Sequence, residues 1–380
     1  MDAGTIGASE RLARLRLARS EGVGPKSFTR LLARFGTAAE ALDALPALAG
    51  RGGRSDYRAC PEDAALAEIA AGEAAGARLV LFGEPAYPQA LATIPTPPPA
   101  LWVRGDRDAL ARAGVAVVGA RNASALGARF ARRLGRGLAT AGEVVVSGLA
   151  RGIDAAAHEG ALEGGTPEGD ATGGGTTVAV LAGGVDVVYP PEHTDLAARI
   201  ADRGALVSEC PPGTEPTSRH FPRRNRLISG LARAVVLVEA AARSGSLLTA
   251  RAALEQGREV MACPGSPDDA RAGGCNALIR DGALLIRGHE DVLDALGGPL
   301  APCPAPVVAP LPEPSIAPAE GDDALAARLM ALIGAAPVEV DELARRSGAS
   351  PAALSLALLE LDLAGRIERL AGERVMAAGP

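Results

Sequence analysis

The chain is predicted to be an α/β protein: an extended Rossmann-like, doubly wound and mostly parallel sheet, with a small helical N-terminal domain and a C-terminal winged helix-turn-helix. Three observations predict it. Between Val115 and Ile286, short apolar, β-branched runs alternate with segments of helical periodicity, which is how parallel strands covered on both faces read in sequence. Ahead of them, residues 9–72 hold only short helical patterns. Behind them, a proline-rich stretch, Pro299–Pro318, leads into three helical patterns and two short strands around a turn. The organisation expected is therefore 1–76 helical, of the SAM-like or helix-hairpin-helix kind; 77–298 the Rossmann-like core; 299–318 a semi-rigid linker; and 319–380 the winged domain.

In the first domain SERLARLRLAR, GVGPKSFTRLLARFG and TAAEALDALPAL each predict a helix. Gly22-Val23-Gly24-Pro25-Lys26 has the form of a helix-hairpin-helix turn, whose amides can hold a DNA phosphate; a purely structural hairpin reads the same way. Arg78–Phe82 and Leu101–Val103 are extended candidates. The regular alternation then begins. VAVVG at 115 precedes a helix near Ser124–Ala141, and VVVSG (144–148) one near Ile153–Leu162. VAVLAG (178–183) precedes a helix near 192–203, and ALVSE (205–209) leads to an arginine-rich segment. AVVLVE, REVMA (258–262) and ALLI (283–286) complete the strands. GGTPEGDATGGG (164–175) is Gly-rich and is expected to be a surface loop with no function attached to it. Asp322–Ile333, Val340–Ser347 and Pro351–Leu363, with RIERLAGERVMA, supply the winged domain.

Composition excludes several classes. The 380 residues carry a formal net charge of −6, which argues against a generally basic nucleic-acid coat but leaves room for a local basic patch. Five cysteines, odd in number and with no CxxC pair, favour reduced thiols over a disulfide framework or zinc site. No apolar leader and no uncharged stretch of membrane-spanning length is present, so a cytoplasmic protein with no membrane association is expected.

The segment Phe221–Ala250 concentrates the chemistry. Arg219, Arg223, Arg224, Arg226 and Arg233 fall between Thr217 and Arg233 with no acidic residue among them. The apolar run Ala234–Val238 ends at Glu239 and a Ser244-Gly245-Ser246 turn, which opens a helix from Leu247 to Gln256. A strand feeding such a turn points backbone N–H groups and the positive end of the helix dipole into a crevice suited to anions, phosphate above all. Phe221 adds an aromatic face in a chain of 2% aromatic content. In GARNASALG, Arg121 stands where the Rossmann fingerprint needs its second glycine, which disfavours a dinucleotide and suits a gripped backbone phosphate. In SGLARGIDAAAH, Asp154 and His158 at i, i+4 invite a general-base reading. No nucleophile of known spacing accompanies them, so they are expected to order the loop instead. No metal site, cofactor or catalytic residue is predicted.

GARNAS, SGLARGIDAAAH, TTVAVLAGGVDVVYP, FPRRNRLISGL, VVLVEA, SGSLLTA, REVMACPG and GGCNALIRDGALLI, in that order over about 100–287, resemble the DprA/Smf family of DNA-processing proteins. The resemblance implies a core that binds single-stranded DNA without catalysis, forms a homodimer, and delivers the recombinase RecA onto DNA taken up in natural transformation. It places DNA-binding roles on Arg121; on Ser147, Gly148 and Arg151; on Arg219, Phe221, Arg224, Asn225 and Arg226; and on Ser244, Gly245 and Ser246.

Two other classes compete. Glu239 at a strand end, near Arg224 and a Gly/Ser turn, allows a Rossmann-type nucleotide hydrolase resembling the lysine-decarboxylase-like phosphoribohydrolases, although their PGGxGTxxE signature is absent. A winged-helix transcription factor is the third reading. It is weakened by the would-be recognition helix Ser350–Gly365, which has no Arg or Lys and two acids, Glu360 and Asp362. Its spare leucines suggest a surface for another protein.

Overall fold

The computed structural model describes residues 6–164, 176–297, 322–370 and 373–378. The Gly-rich loop beyond Gly164 and the proline linker lie outside the described residues. In chain order, α1 (Ala8–Arg19), α2 (Pro25–Phe35), α3 (Ala38–Arg51) and α4 (Glu62–Ala74) precede β1 (Ala77–Leu81), the short α5 (Gln89–Ala92) and β2 (Ala100–Gly105). The alternation follows as β3 (Gly114–Val118), α6 (Ala125–Thr140), β4 (Val145–Ser147), α7 (Ile153–Gly164), β5 (Thr177–Val180), α8 (Thr194–Arg203) and β6 (Ala205–Ser208). It continues through α9 (His220–Gly230), β7 (Ala232–Leu237), α10 (Ser246–Glu255), β8 (Glu259–Ala262), α11 (Gly273–Arg280), β9 (Leu284–Leu285) and α12 (His289–Leu296). The last elements are α13 (Asp322–Leu332), β10 (Val338–Glu339), α14 (Val340–Ser347), α15 (Pro351–Leu363), β11 (Ile367–Leu370) and β12 (Arg374–Ala377).

Among the described residues these elements form two compact units: one from 67 to 297, the other 6–66 together with those from 322 onward. The first is a nine-stranded sheet in the order β1-β2-β6-β5-β4-β3-β7-β8-β9. From β6 to β9 every pairing is parallel, and β1 and β2 join antiparallel at one end. Neighbouring residues of the central strands face opposite layers, as the two-residue repeat of a strand requires. Ala116 and Val118 of β3, with Val235 and Leu237 of β7, enter the layer of Leu227, Ile228 and Ala250. Val115, Val117, Ala234 and Val236 enter that of Leu134, Leu138 and Ile153. Such strands are buried on both faces, hence their unbroken apolar character. Arg223, Arg224 and Arg226 of the arginine segment lie on α9, with Leu227, Ile228 and, just past its end, Leu231 seated in the core.

In the second unit α15 lies between two sets of partners. Leu354, Leu358 and Leu361 pack in the winged domain's own core with Leu329, Leu343 and Val375. The opposite side packs on α3: the carboxylate of Glu360, a residue 1% exposed, accepts from Arg51 Nε at 2.8 Å. A Cβ at Gly52 would fall 2.2 Å from the Glu360 carbonyl oxygen, and one at Gly22 would fall 3.1 Å from the Leu363 Cα. Lys26 pairs with Glu373 of the β11–β12 turn, and Asp362 with Arg369. The expectation that α15 offers spare leucines to another protein is therefore corrected: Leu359 and Leu363 are buried, and the N-terminal helices of the same chain cover that side. The two acids on this helix, Glu360 and Asp362, are matched by Arg51 and Arg369.

Candidate nucleic-acid interface

The carboxyl ends of β3, β4, β5 and β7, with the loops that follow them, and the first turns of α9 carry the candidate residues. Arg121 is exposed in the β3–α6 loop, and its guanidinium carbon sits 4.9 Å from the centre of the half-buried Phe221 ring, a cation–π pair. Tyr189, 50% exposed, meets Phe221 edge-on with ring centres 5.7 Å apart. A guanidinium over one ring, with a second ring at that ring's edge, thus comes together in a chain with few aromatics. Sequence reasoning missed Tyr189; the signal was there, at the end of the run TTVAVLAGGVDVVYP.

Ser147, Gly148 and Arg224 form a buried node. Ser147 is fully buried, and its hydroxyl donates to the Val117 carbonyl at 2.6 Å, tying β4 to β3. Arg224, 5% exposed, projects from α9 beneath the turn and donates to the carbonyls of Gly148 and Val180. A Cβ at Gly148 would meet the Arg224 guanidinium at 2.4 Å, so any side chain there would displace that guanidinium. The Asp154 carboxylate accepts from the Gly148 and Ala150 amides at 3.2 and 3.4 Å. Burial pushes the Asp154 carboxyl above its ordinary value, with the Arg224 charge opposing that shift. Burial also lowers the Arg224 guanidinium to about 10, with Asp154 opposing. In this structure Arg224 holds the turn from behind; it does not reach solvent.

Two further arginines are committed to carboxylates. Arg151 is exposed and makes a bidentate pair with Glu192, which raises the arginine and lowers the acid. Half-buried Arg226 pairs with Glu209 and donates to the Thr96 carbonyl. Asn225 is half-buried, and its carbonyl accepts from the Ser229 hydroxyl at 3.4 Å. Arg219 stands at the residue before α9 and is exposed, as are Arg223 and Arg243, two cations that the family resemblance had not singled out. In the turn before α10, the Ser244 and Ser246 hydroxyls bond each other at 2.8 Å and Gly245 is exposed. Among the described residues no hydrogen bond, ion pair or ring contact joins this turn to the Arg121–Phe221 pair.

The Asp154–His158 pair orders structure. Thr177 Oγ1 donates to the Val145 carbonyl and is 2.7 Å from His158 Nδ1, which makes Nδ1 the protonated nitrogen. Burial, with the nearby Arg224 charge, lowers His158 to about 3. It is a neutral core residue rather than a base in contact with solvent.

The strand order reverses direction between β3 and β7, and the crevice at this switch point is where ligands of doubly wound sheets bind. Here Glu239 forms part of its wall. Its Oε2 accepts from the Ser124 amide at 2.8 Å and its Oε1 from the Ser124 hydroxyl at 2.5 Å, at the first turn of α6. Beside it opens a crevice of about 740 Å³, lined by Leu126, Phe130, Arg129, Arg133, Pro264 and Arg287 among others. Among the described residues no group of three His, Cys, Asp or Glu side chains is placed to hold a metal, and no helix is long and apolar enough to cross a membrane.

Fold and site together define a Rossmann-type protein with an aromatic and cationic surface at its strand ends and a helix-hairpin-helix-like and a winged-helix module outside it. Family models agree: "DNA recombination-mediator protein A" matches residues 78–297, "DprA-like N-terminal HHH domain" 8–71, and "DprA winged helix domain" 312–373. Protein Smf of Escherichia coli is 42% identical over 289 residues, covering 75% of this chain and 74% of that one. The DNA processing protein DprA of Streptococcus pneumoniae is 44% identical over 207 residues, 54% of this chain and 70% of that one. A solved structure of DprA from Streptococcus pneumoniae superposes with a TM-score of 0.59 and 32% identity, covering 76% of this chain and 98% of that one. The chain belongs to the DprA/Smf family of DNA-processing proteins.

Proposed function

We propose that the core binds single-stranded DNA without catalysis and acts as a recombination mediator that hands the strand to RecA, the role the family implies. The observation that carries the DNA half of this reading is the Arg121–Phe221 stack with Tyr189 at its edge. Single-strand binding needs an aromatic platform for a base and a cation for the adjoining phosphate, and this arrangement supplies both in one place. The exposed Arg219 and Arg223 beside Phe221 extend the cationic track along the start of α9. The RecA half rests on family membership and on the mediator description of the matching model.

The homodimer belongs to the same reading. Leu278 and Ile279 pack against their own core and Ile286 is buried, but Leu284 and Leu285 on the edge strand β9 are 41% and 43% exposed. A second copy of the chain would cover them.

The hydrolase alternative needs Glu239 available to a substrate. Both of its oxygens are engaged by Ser124, which counts against that role. Titrating labelled single- and double-stranded oligonucleotides at two salt concentrations tests the proposal: tight, salt-dependent binding of the single strand supports it. Nucleobase release from nucleoside monophosphates, with no preference for a single strand, would favour the hydrolase.

A further inference from the structure

We propose that Glu239 is a positioning residue: its carboxylate takes the place of a bound anion at the N-terminus of α6 and so presets the loop that carries Arg121.

The β3–α6 loop is pinned at both ends. On one side the Ile153 amide donates to the Ala120 carbonyl at 3.2 Å, and a Cβ at Gly152 would meet that carbonyl at 2.3 Å. On the other, the Glu239 carboxylate takes the amide and the hydroxyl of Ser124. Ser124 passes the connection on, since its hydroxyl oxygen also accepts from the Gly127 amide at 2.9 Å and caps the helix. A Cβ at Gly127 would lie 2.4 Å from Glu239 Cδ, so the helix approaches the carboxylate as closely as a glycine allows. Arg121, Asn122 and Ala123 span the gap between these anchors, and Arg121 lies over Phe221.

A helix N-terminus at the switch point of such a sheet presents donors and a positive dipole end to an anion. Here the chain supplies its own. With Ser124 held from the segment just past β7, the loop needs no ligand to take its shape, and Arg121 is in place before a strand arrives, so little ordering has to accompany binding. The same carboxylate keeps free phosphate groups away from the donors of α6. This explains why a Rossmann-type crevice flanked by Arg129 and Arg133 coexists with a site for strand phosphates some residues away.

The inference rests on the reading of Arg121 as a DNA contact, and the test separates the two. In the full chain, Glu239→Ala is expected to weaken single-strand binding about tenfold, the worth of one charge-assisted contact, and to flatten the dependence of log K on log[salt] by about 0.7. Added to Arg121→Ala it should change little, because both remove the same contact. Glu239→Gln, which keeps one acceptor for Ser124, should fall between Ala and wild type and guards against a variant that does not fold. Independently of DNA, inorganic phosphate should raise the Tm of Glu239→Ala relative to chloride at equal ionic strength and leave wild type unmoved. Wild-type affinity and slope in Glu239→Ala, full additivity with Arg121→Ala, or no phosphate effect on the alanine variant would each overturn the inference. Unchanged DNA binding in Arg121→Ala would instead refute the DNA reading, and the phosphate comparison would still report on Glu239.

Discussion

The guanidinium of Arg121 stacks on the ring of Phe221, 4.9 Å from its centre, although a hundred residues separate them in the chain. One comes from the β3–α6 loop and the other from the start of α9. On the proposed reading, their contact joins the electrostatic and the stacking halves of the strand site in a single unit.

Arg121→Ala should flatten the salt dependence of single-strand binding by about 0.7, the share of one phosphate. Phe221→Ala should cost about 1–3 kcal/mol and also disturb the arginine that rests on it. A double-mutant cycle should therefore show coupling of about 0.5–1 kcal/mol. Strict additivity by fluorescence anisotropy would show that the two act separately. Tyr189→Ala should weaken binding with no effect on the slope.

Arg224→Ala should act on folding rather than on phosphate contact. It strips two carbonyls of their donor and leaves the Asp154 carboxylate buried without its opposing charge, a loss of about 3–5 kcal/mol measurable by urea unfolding. Arg226→Ala should leave the salt slope unchanged, since that guanidinium is already held by Glu209. A flattened slope in the Arg226 variant would place it on the strand.

His158 gives the core a pH dependence of defined sign. Its folded value, about 3, lies below the ordinary value of 6.5, so the unfolded chain binds the proton more readily. Its contribution is whole above about pH 6.5 and is lost as pH falls toward 3, at up to about 1.4 kcal/mol per pH unit. Asp154, shifted upward by burial, works in the opposite direction. Chemical unfolding of His158→Gln should show a shallower acid decline than wild type; parallel curves would mean that His158 is not the titrating group.

Glu360→Ala should destabilise the unit made of the outer domains by about 1–3 kcal/mol, because the Arg51 pairing is lost and the packing of α15 on α3 is left incomplete. Removing 319–380 should change single-strand affinity by no more than roughly twofold if, as proposed, the core makes the strand contacts. Hydrogen exchange of α15 amides in a chain lacking 6–66 should accelerate. Unchanged protection there would show that α3 contributes nothing to this helix.

Leu284→Asp with Leu285→Asp should yield a monomer by light scattering at micromolar concentration, where the unsubstituted chain is expected to be a dimer. A monomer before substitution would refute the dimer outright.

The sequence by itself determined the class of the core and the neighbourhood of the site. Parallel strands buried on both faces must be apolar throughout, and β3, β4, β5, β7 and β8 announced themselves in this way. The glycine and serine turns that follow them marked the end of the sheet where ligands go. Helix α9 was less legible, since the arginines along it describe charge, while its apolar residues Leu227, Ile228 and Leu231 show a helical face only once the sheet beneath them is known. What each arginine does was decided by tertiary structure alone. Arg121, Arg151, Arg224 and Arg226 look alike in sequence, yet one stacks on a ring, two meet carboxylates far along the chain, and one is buried under a turn. The same holds for Glu239, which reads as a catalytic candidate until Ser124 is found on both its oxygens, and for Glu360, which reads as a solvent-facing acid until Arg51 is found against it. The physical reason is common to all. Periodicity reports which way a residue faces within its own element, whereas the partner of a charge is set by elements brought together across the fold.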